Sequence, residues 1–326
     1  MTQTPLAPTP PATRPTPPRR WLRAGAVAAC VPYLSLKFAW IAGSRVGIPD
    51  GSPLLDNRAL MAVGNSVTVL MDSAVIVLAL LLTQDWGRRA PAWLLALPMW
   101  AATGLLVPIM TGFPVQLVVK LFAGSEPVEP GGEPFLDDWV FGVVYSGFIV
   151  QGLTLGTLFV LYAKDRWGHL WQGRIRDLPR PATGTGARTA AIAGSALTLL
   201  PITTHLTWAF GSTSGLPPKR IVERTPDFYA LEALTSLTAL AAAAGVLLLV
   251  FRIAPALPLK APLAPAWAGS GAVGCWGAWM TLAALLPADD PEQGATGLML
   301  LTYSVSMIAG FLLFGAVASF LRRCAS

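Results

Sequence analysis

Eight long apolar segments, each about as long as a bilayer-crossing helix, dominate this sequence. They occupy residues 22–43, 59–83, 91–113, 139–163, 189–211, 228–252, 265–286 and 295–320. A helix needs about 20 mostly apolar residues to cross the hydrocarbon core of a membrane. Only 12% of the residues are charged, whereas a soluble domain carries about 25%. The sequence therefore predicts an all-α integral membrane protein with eight transmembrane helices.

The basic residues are unevenly distributed between the two sides of this predicted bundle. If the N-terminus is cytoplasmic, 16 of the 23 Lys and Arg residues fall in inner segments and six in outer segments. Because basic residues are enriched in cytoplasmic loops, we expect both termini to be cytoplasmic. The chain is also rich in Arg, Ala, Pro and Gly, which is typical of a GC-rich bacterial genome. We therefore expect a multi-pass protein of the bacterial plasma membrane.

Several short patterns occur twice, in the same order. Trp-x-x-Gly-Ser-x-x-Gly-[Ile/Leu]-Pro begins at Trp40 and again at Trp208, and its first glycine is Gly43 in one copy and Gly211 in the other. Pro-Ala-Trp occurs at 91–93 and 265–267, and Tyr-Ser-x5-Gly at 145–152 and 303–310. The matched tryptophans and tyrosines are informative because the chain has only 12 Trp and 5 Tyr. The pattern predicts an internal duplication.

This duplication divides the predicted spans into two groups of four. Both copies then enter the membrane from the same side, so the repeats are expected to be parallel, as in the halves of some transporters. The predicted parts are a disordered, Pro-rich cytoplasmic tail (1–20), a first four-helix repeat (21–163), a basic cytoplasmic linker (164–188) and a second four-helix repeat (189–323).

Four ionisable side chains form a candidate intramembrane polar site, because charged groups inside a span are costly and often functional. Lys37 and Asp72 lie on adjacent antiparallel spans, and we expect them to pair if the lysine reaches inward. His205 and Glu232 lie at a similar depth and are also expected to pair. Alternatively, Lys37 extends to the outer headgroups and Asp72 bonds one helix to another.

The repeat places a basic group at the same position in both halves. Lys37 is three residues before Trp40, and His205 is three residues before Trp208. Two equivalent bases near the pseudo-twofold axis would flank an anionic or polar ligand, and the imidazole would make such a site responsive to pH. The alternative is that each base only anchors its helix at the outer interface.

The Trp-Gly pattern itself is interpreted as a repeat interface motif built on Trp40, Gly43, Trp208 and Gly211. Tryptophan is enriched at membrane interfaces, glycine permits tight turns, and proline ends a helix. These properties predict a structural turn at the outer end of the first and fifth spans. The alternative is that two such turns form the rim of an outer vestibule.

The loops suggest few further ligands. The linker 164–188 carries six Lys and Arg residues, which favours an anionic lipid or a protein partner. The acidic segment 124–138 is expected to be solvated, with calcium as an alternative. We expect no cofactor and no metal, because neither metal-ligand spacing nor a nucleotide-binding pattern occurs. The net charge of +6 does not indicate nucleic acid, because no aromatic-basic patch accompanies it.

The predicted architecture is compatible with three classes of function. The leading hypothesis is a small-molecule or ion permease-like protein with a site between the two repeats, near Lys37, Asp72 and His205. The alternative is a non-catalytic accessory or scaffold subunit of a membrane complex. An intramembrane enzyme is the third hypothesis.

Overall fold

The computed structural model describes residues 17–55, 58–123, 136–178, 183–286 and 294–325. Ten α-helices lie within these ranges: α1 (Pro17–Ile41), α2 (Arg58–Leu81), α3 (Ala92–Ala123), α4 (Asp138–Trp167), α5 (Thr185–Ala209), α6 (Pro218–Val222), α7 (Pro226–Val250), α8 (Lys260–Gly271), α9 (Gly277–Leu285) and α10 (Gly297–Ala325). No strand is formed by the described residues. The prediction of an all-α protein is confirmed.

Seven of the helices in the described ranges are long and apolar enough to cross a membrane, namely α1 to α5, α7 and α10. The predicted span 265–286 has a different form. It falls on α8 and α9, which are joined by a π-helical turn at Ala272–Trp276 into one helical run from Lys260 to Leu285. A π turn inserts one extra residue into the ladder of hydrogen bonds, so neither flanking α-helix reaches the length of a span.

The predicted disordered tail (1–20) overlaps the first helix. Helix α1 begins at Pro17, so residues 17–20, which were assigned to the tail, are helical. Proline is tolerated in the first turn of a helix because its missing N–H would have no intrahelical acceptor there. Residues 1–16 lie outside the described ranges, as do Glu126, Glu129 and Glu133 of the acidic segment.

The helices pack in two groups joined by α3. Helix α1 packs against α2 and α4, while α5 packs against α7 and α10. Helix α3 lies against α4 on one side and against α7, α8 and the π turn on the other. The indole of Trp100 on α3 donates to Ser270 Oγ on α8 at 3.1 Å, and the indole of Trp276 in the π turn donates to the carbonyl of Leu105 at 3.2 Å.

The two Trp-Gly patterns form turns with the same hydrogen bonds. Trp40 Nε1 donates to the carbonyl of Val46 at 2.7 Å, and Trp208 Nε1 donates to that of Ser214 at 2.9 Å. Each turn has two glycines in the left-handed region, with φ of 92° at Gly43, 74° at Gly47, 92° at Gly211 and 72° at Gly215. Glycine suits these positions because it lacks a Cβ. We call the end of the bundle that carries both turns (residues 42–48 and 210–216) the motif end.

Candidate functional site

A cavity of about 340 Å³ lies toward the motif end, where α3 meets the second group of helices. Its walls come from α3, α5, α7, the π turn, α9 and α10, and it is also lined by Tyr145 of α4. The apolar part of the wall includes Pro108, Ile109, Leu231, Ala239, Val273 and Met280. Cavities of this size, with apolar walls and a few polar groups, are typical small-molecule sites. Such a cavity can hold a compact organic molecule.

His205 and Glu232 form the polar centre of this cavity. The two residues are 9% and 6% exposed, and they face one another because α5 and α7 are adjacent. Nδ1 of His205 bonds to Oε2 of Glu232. With Glu232 ionised, the carboxylate can only accept, and Nδ1 of His205 is the donor of this contact. The imidazole also makes a T-shaped contact with the ring of Trp208, with the two ring centroids 5.3 Å apart.

Arg220 and Tyr303 extend this polar centre. Arg220 Nη2 lies 3.6 Å from Oε1 of Glu232, and its Nη1 donates to the hydroxyl of Tyr303 at 3.5 Å. The guanidinium also lies over the ring of Phe228, 5.6 Å from its centroid, which is a cation–π contact. Helix α6 begins directly after the second turn and carries Arg220 to the cavity. The carboxylate of Glu232 is thus held between an imidazole and a guanidinium.

Lys37 does not line the cavity. Its Nζ donates to Oδ1 of Asn65 at 2.9 Å. The same ammonium lies 4.8 Å from the ring centroid of Tyr33 and 4.7 Å from that of Trp40. These contacts satisfy the charge inside the first group of helices, between α1 and α2.

Asp72 is also outside the cavity and has a different partner from the one predicted. It is 4% exposed, and its Oδ1 accepts a hydrogen bond from Gln151 Nε2 at 2.6 Å. The same amide lies 2.9 Å from the sulfur of Cys30. Oδ2 of Asp72 has no hydrogen-bond partner among the described residues. Asp72 therefore connects α2 to α4.

The predicted ion pair between Lys37 and Asp72 is not formed. Asn65 lies seven residues before Asp72 on α2, about 10 Å nearer the motif end at 1.5 Å per residue. The Lys37 side chain contacts Asn65, Tyr33 and Trp40, all near its own depth, and does not extend inward to Asp72.

Three polar residues of the cavity wall, Arg220, Tyr145 and Tyr303, are not among the site residues that the sequence predicts. Arg220 was counted only among the outer basic residues, because it lies between two predicted spans. Tyr145 and Tyr303 were recognised as matched repeat positions, and both line the cavity. Their recurrence was the available signal for the tyrosines. For Arg220 no local pattern would have sufficed, because α6 reaches the cavity through the packing of the turn that precedes it.

Metal ligands do not cluster in the described ranges, where no group of three or more His, Cys, Asp or Glu side chains could hold an ion. The three cysteines are free thiols, with Cys30 buried and Cys275 and Cys324 partly buried.

Comparisons with known proteins give no further guidance. No protein-family model matches this chain, and neither a curated protein nor a solved structure shows significant similarity to it.

Proposed function

We propose that this protein is a permease-like membrane protein that binds a small, partly apolar molecule in the cavity around His205 and Glu232. The observation that carries the proposal is the buried pair itself, which borders an apolar space of about 340 Å³. Polar and ionisable groups are costly in a membrane and usually mark a pathway or a ligand site. Lys37 and Asp72, which the sequence also suggested, do not line the cavity and contact other residues, so the proposed site excludes them.

The proposed architecture is two parallel four-helix repeats with eight crossings and both termini in the cytoplasm of a bacterium. The bounds of the helices support it. Helices α1 and α5 begin 168 residues apart and end 168 residues apart, which is also the spacing of Trp40 and Trp208. Helices α4 and α10 end 158 residues apart, the spacing of Tyr145 and Tyr303. The two turns, with their matching hydrogen bonds, support the same duplication.

A cavity-filling variant tests the proposed binding site. Thr235 lines the cavity, whereas Leu237, two residues along α7, is 61% exposed and does not. A screen of small amphipathic molecules by thermal shift is run on purified protein in detergent, with wild type, Thr235→Trp and Leu237→Trp. We expect compounds that stabilise wild type and Leu237→Trp but not Thr235→Trp. Compounds that stabilise all three proteins equally would contradict the proposal.

A second candidate function is that of an accessory subunit that docks through the linker 164–188. The supporting observation is that part of this linker is held firmly against the loop before α8. Ile175 N–H donates to the carbonyl of Leu257, and Ile175 and Leu178 are buried, while Arg174 and Arg176 remain exposed. A fixed basic surface of this kind suits anionic lipid headgroups or an acidic protein segment.

Co-purification separates the two candidates. The accessory function predicts that a bound protein or anionic lipid is retained by wild type and lost from an Arg174→Gln/Arg176→Gln variant. Loss from the Thr235→Trp variant instead would favour the cavity.

A further inference from the structure

The cavity offers hydrogen-bond donors rather than free carboxylate oxygens. Both oxygens of Glu232 are already engaged, Oε2 by His205 and Oε1 by Arg220. The Tyr145 hydroxyl has no hydrogen-bond partner among the described side chains. The Tyr303 hydroxyl only accepts, from Arg220, so its own proton remains available. A ligand entering the cavity therefore meets unused O–H and guanidinium N–H donors.

The Ser and Thr hydroxyls on the cavity wall already use their protons, so toward a ligand they can act only as neutral acceptors. They donate to carbonyls of their own helices, as in the bonds from Thr235 to Leu231, from Thr238 to Leu234 and from Ser306 to Thr302. Gln116, on α3, is bonded to Asp227 at 3.1 Å. None of these groups supplies a free negative charge, so an ammonium ligand would find no unpaired carboxylate on the cavity wall.

Arg220 is the permanent cation of the polar centre. Arg220 is always protonated, and it shares the single carboxylate of Glu232 with His205. His205 Nε2 has no described partner; it is an acceptor in the neutral ring and a donor in the protonated ring. A guanidinium has five N–H donors, more than its contacts with Glu232 and Tyr303 use, so donors remain for an anionic ligand.

We infer that the ligand is a small monoanion with an apolar body, whose acidic group binds at Arg220 and Tyr303 while its body lies against Ile109, Leu231 and Met280. This inference rests on the proposed function and adds the charge class of the ligand. Charge-assisted bonds from a guanidinium to an anion are stronger than neutral ones, and they are strengthened further in a cavity of low polarity.

The test uses ligands that share an apolar body and differ in charge. Phenylbutanoate, phenylbutanamide and phenylbutylamine are titrated into the full-length protein in detergent by calorimetry, together with benzoate and phenylacetate as shorter acids. We expect at least one acid to bind more tightly than the amide and the amine. Arg220→Gln should weaken binding of that acid by about tenfold to a hundredfold and binding of the amide by a smaller factor, because the neutral amide loses no ion pair.

Two further variants serve as a control for Arg220→Gln and as a substitute for it. Lys219→Gln is the matched control, because Lys219 is adjacent to Arg220, pairs with Glu223 at 3.9 Å and does not line the cavity. It should bind the acid as wild type does. If Arg220→Gln does not fold, Tyr303→Phe, which removes only the hydroxyl, should weaken acid binding by a smaller factor.

The outcomes separate this inference from the function on which it rests. If the amide or amine binds as tightly as the acids and Thr235→Trp abolishes that binding, the charge assignment is wrong and the ligand cavity stands. The same conclusion holds if an acid binds equally to wild type and Arg220→Gln. If no compound of either charge class binds wild type, both the inference and the proposed cavity function are overturned.

Discussion

At the scale of single residues, Lys37 and His205 occupy matching positions three residues before a tryptophan but have different surroundings. Lys37 is bonded to the neutral amide of Asn65, whereas His205 is bonded to the carboxylate of Glu232. The lysine charge is further stabilised by two aromatic rings. The histidine instead borders the cavity, and its Nε2 has no hydrogen-bond partner among the described residues. The position three residues before the tryptophan therefore contributes to helix packing in α1 and to the proposed site in α5.

Replacing Lys37 by methionine tests this distinction. Lys37→Met leaves Oδ1 of Asn65 without its donor, and an unsatisfied buried polar atom costs about 1–3 kcal/mol. We expect a lower melting temperature in detergent and unchanged stabilisation by any ligand of the cavity. Lys120→Met, at an exposed position near the end of α3, is the control and should melt as wild type does. If Lys37→Met folds but is no longer stabilised by the ligand, Lys37 contributes to the binding site after all.

Comparing Gly211 with Gly64 tests the cost of a side chain at positive φ, because neither position would clash with an added Cβ. An added Cβ would meet no atom within 4 Å at either Gly211 or Gly64, but Gly211 has φ of 92° while Gly64 lies inside α2. Gly211→Ala should lower stability by about 1–2 kcal/mol, because an L-residue is strained in this region. Gly64→Ala should raise it by about 0.5–1 kcal/mol, because alanine favours the helix. Equal effects of both substitutions on the melting temperature would show that the turn tolerates a side chain.

At the scale of helices, the close approach of α3 and α8 depends on two glycines. A Cβ at Gly104 would collide with the backbone of Gly271, whereas one at Gly142 on α4 would meet nothing. Close backbone approach through small residues is the usual way in which membrane helices pack tightly. This contact aligns α3 with the π turn, and both elements line the cavity.

Gly104→Ala should therefore be costly. The added methyl meets backbone atoms, which cannot move aside as a flexible side chain can, and overpacking of this kind costs about 1–3 kcal/mol. We expect a lower melting temperature and weaker ligand binding, because the wall of the cavity shifts. The control Gly142→Ala, which also lies inside a helix, should leave ligand binding unchanged and should not lower the melting temperature. A Gly104→Ala protein with unaltered ligand binding would mean that the contact does not shape the cavity.

At the scale of the whole molecule, the two proposed repeats are not equivalent around the cavity. Leu231, Thr235 and Thr238 of α7 line it. The residues 168 positions earlier, Val63, Val67 and Leu70, are 62%, 43% and 71% exposed on α2. The physical reason is the position of α3, which packs along α7, α8 and the π turn and touches α2 only briefly. The corresponding face of α2 is left on the surface of the bundle.

The proposed topology predicts which segments are accessible from each side of the membrane. Single cysteines at Ser44 and Ser212, introduced into a variant without the native cysteines, should react with a membrane-impermeant thiol reagent in intact cells. Cysteines at Arg176 and Gly186 should react only after the cells are opened. Labelling of Ser44 and Ser212 on opposite sides would contradict parallel repeats, and labelling of Arg176 in intact cells would reverse the orientation.

The sequence by itself was sufficient to predict features that depend on local composition or on neighbouring helices. Long apolar segments can satisfy their backbone groups in a membrane only as helices or closed barrels, and the segments are helical. The contact of His205 with Glu232 followed from similar depths on consecutive spans. The turns that follow Trp40 and Trp208 were expected because Trp, Gly and Pro have specific roles at helix ends.

Only the tertiary structure decided which faces of the helices meet. Helices that are apolar on all sides have no stripe that marks an inner face, so the sequence could not show that Lys37 contacts Asn65 and not Asp72. The π turn and the entry of Arg220 into the cavity likewise depend on contacts between distant segments. The cavity exists because α3 crosses from the first group of helices to the second, and no local pattern in the chain encodes that crossing.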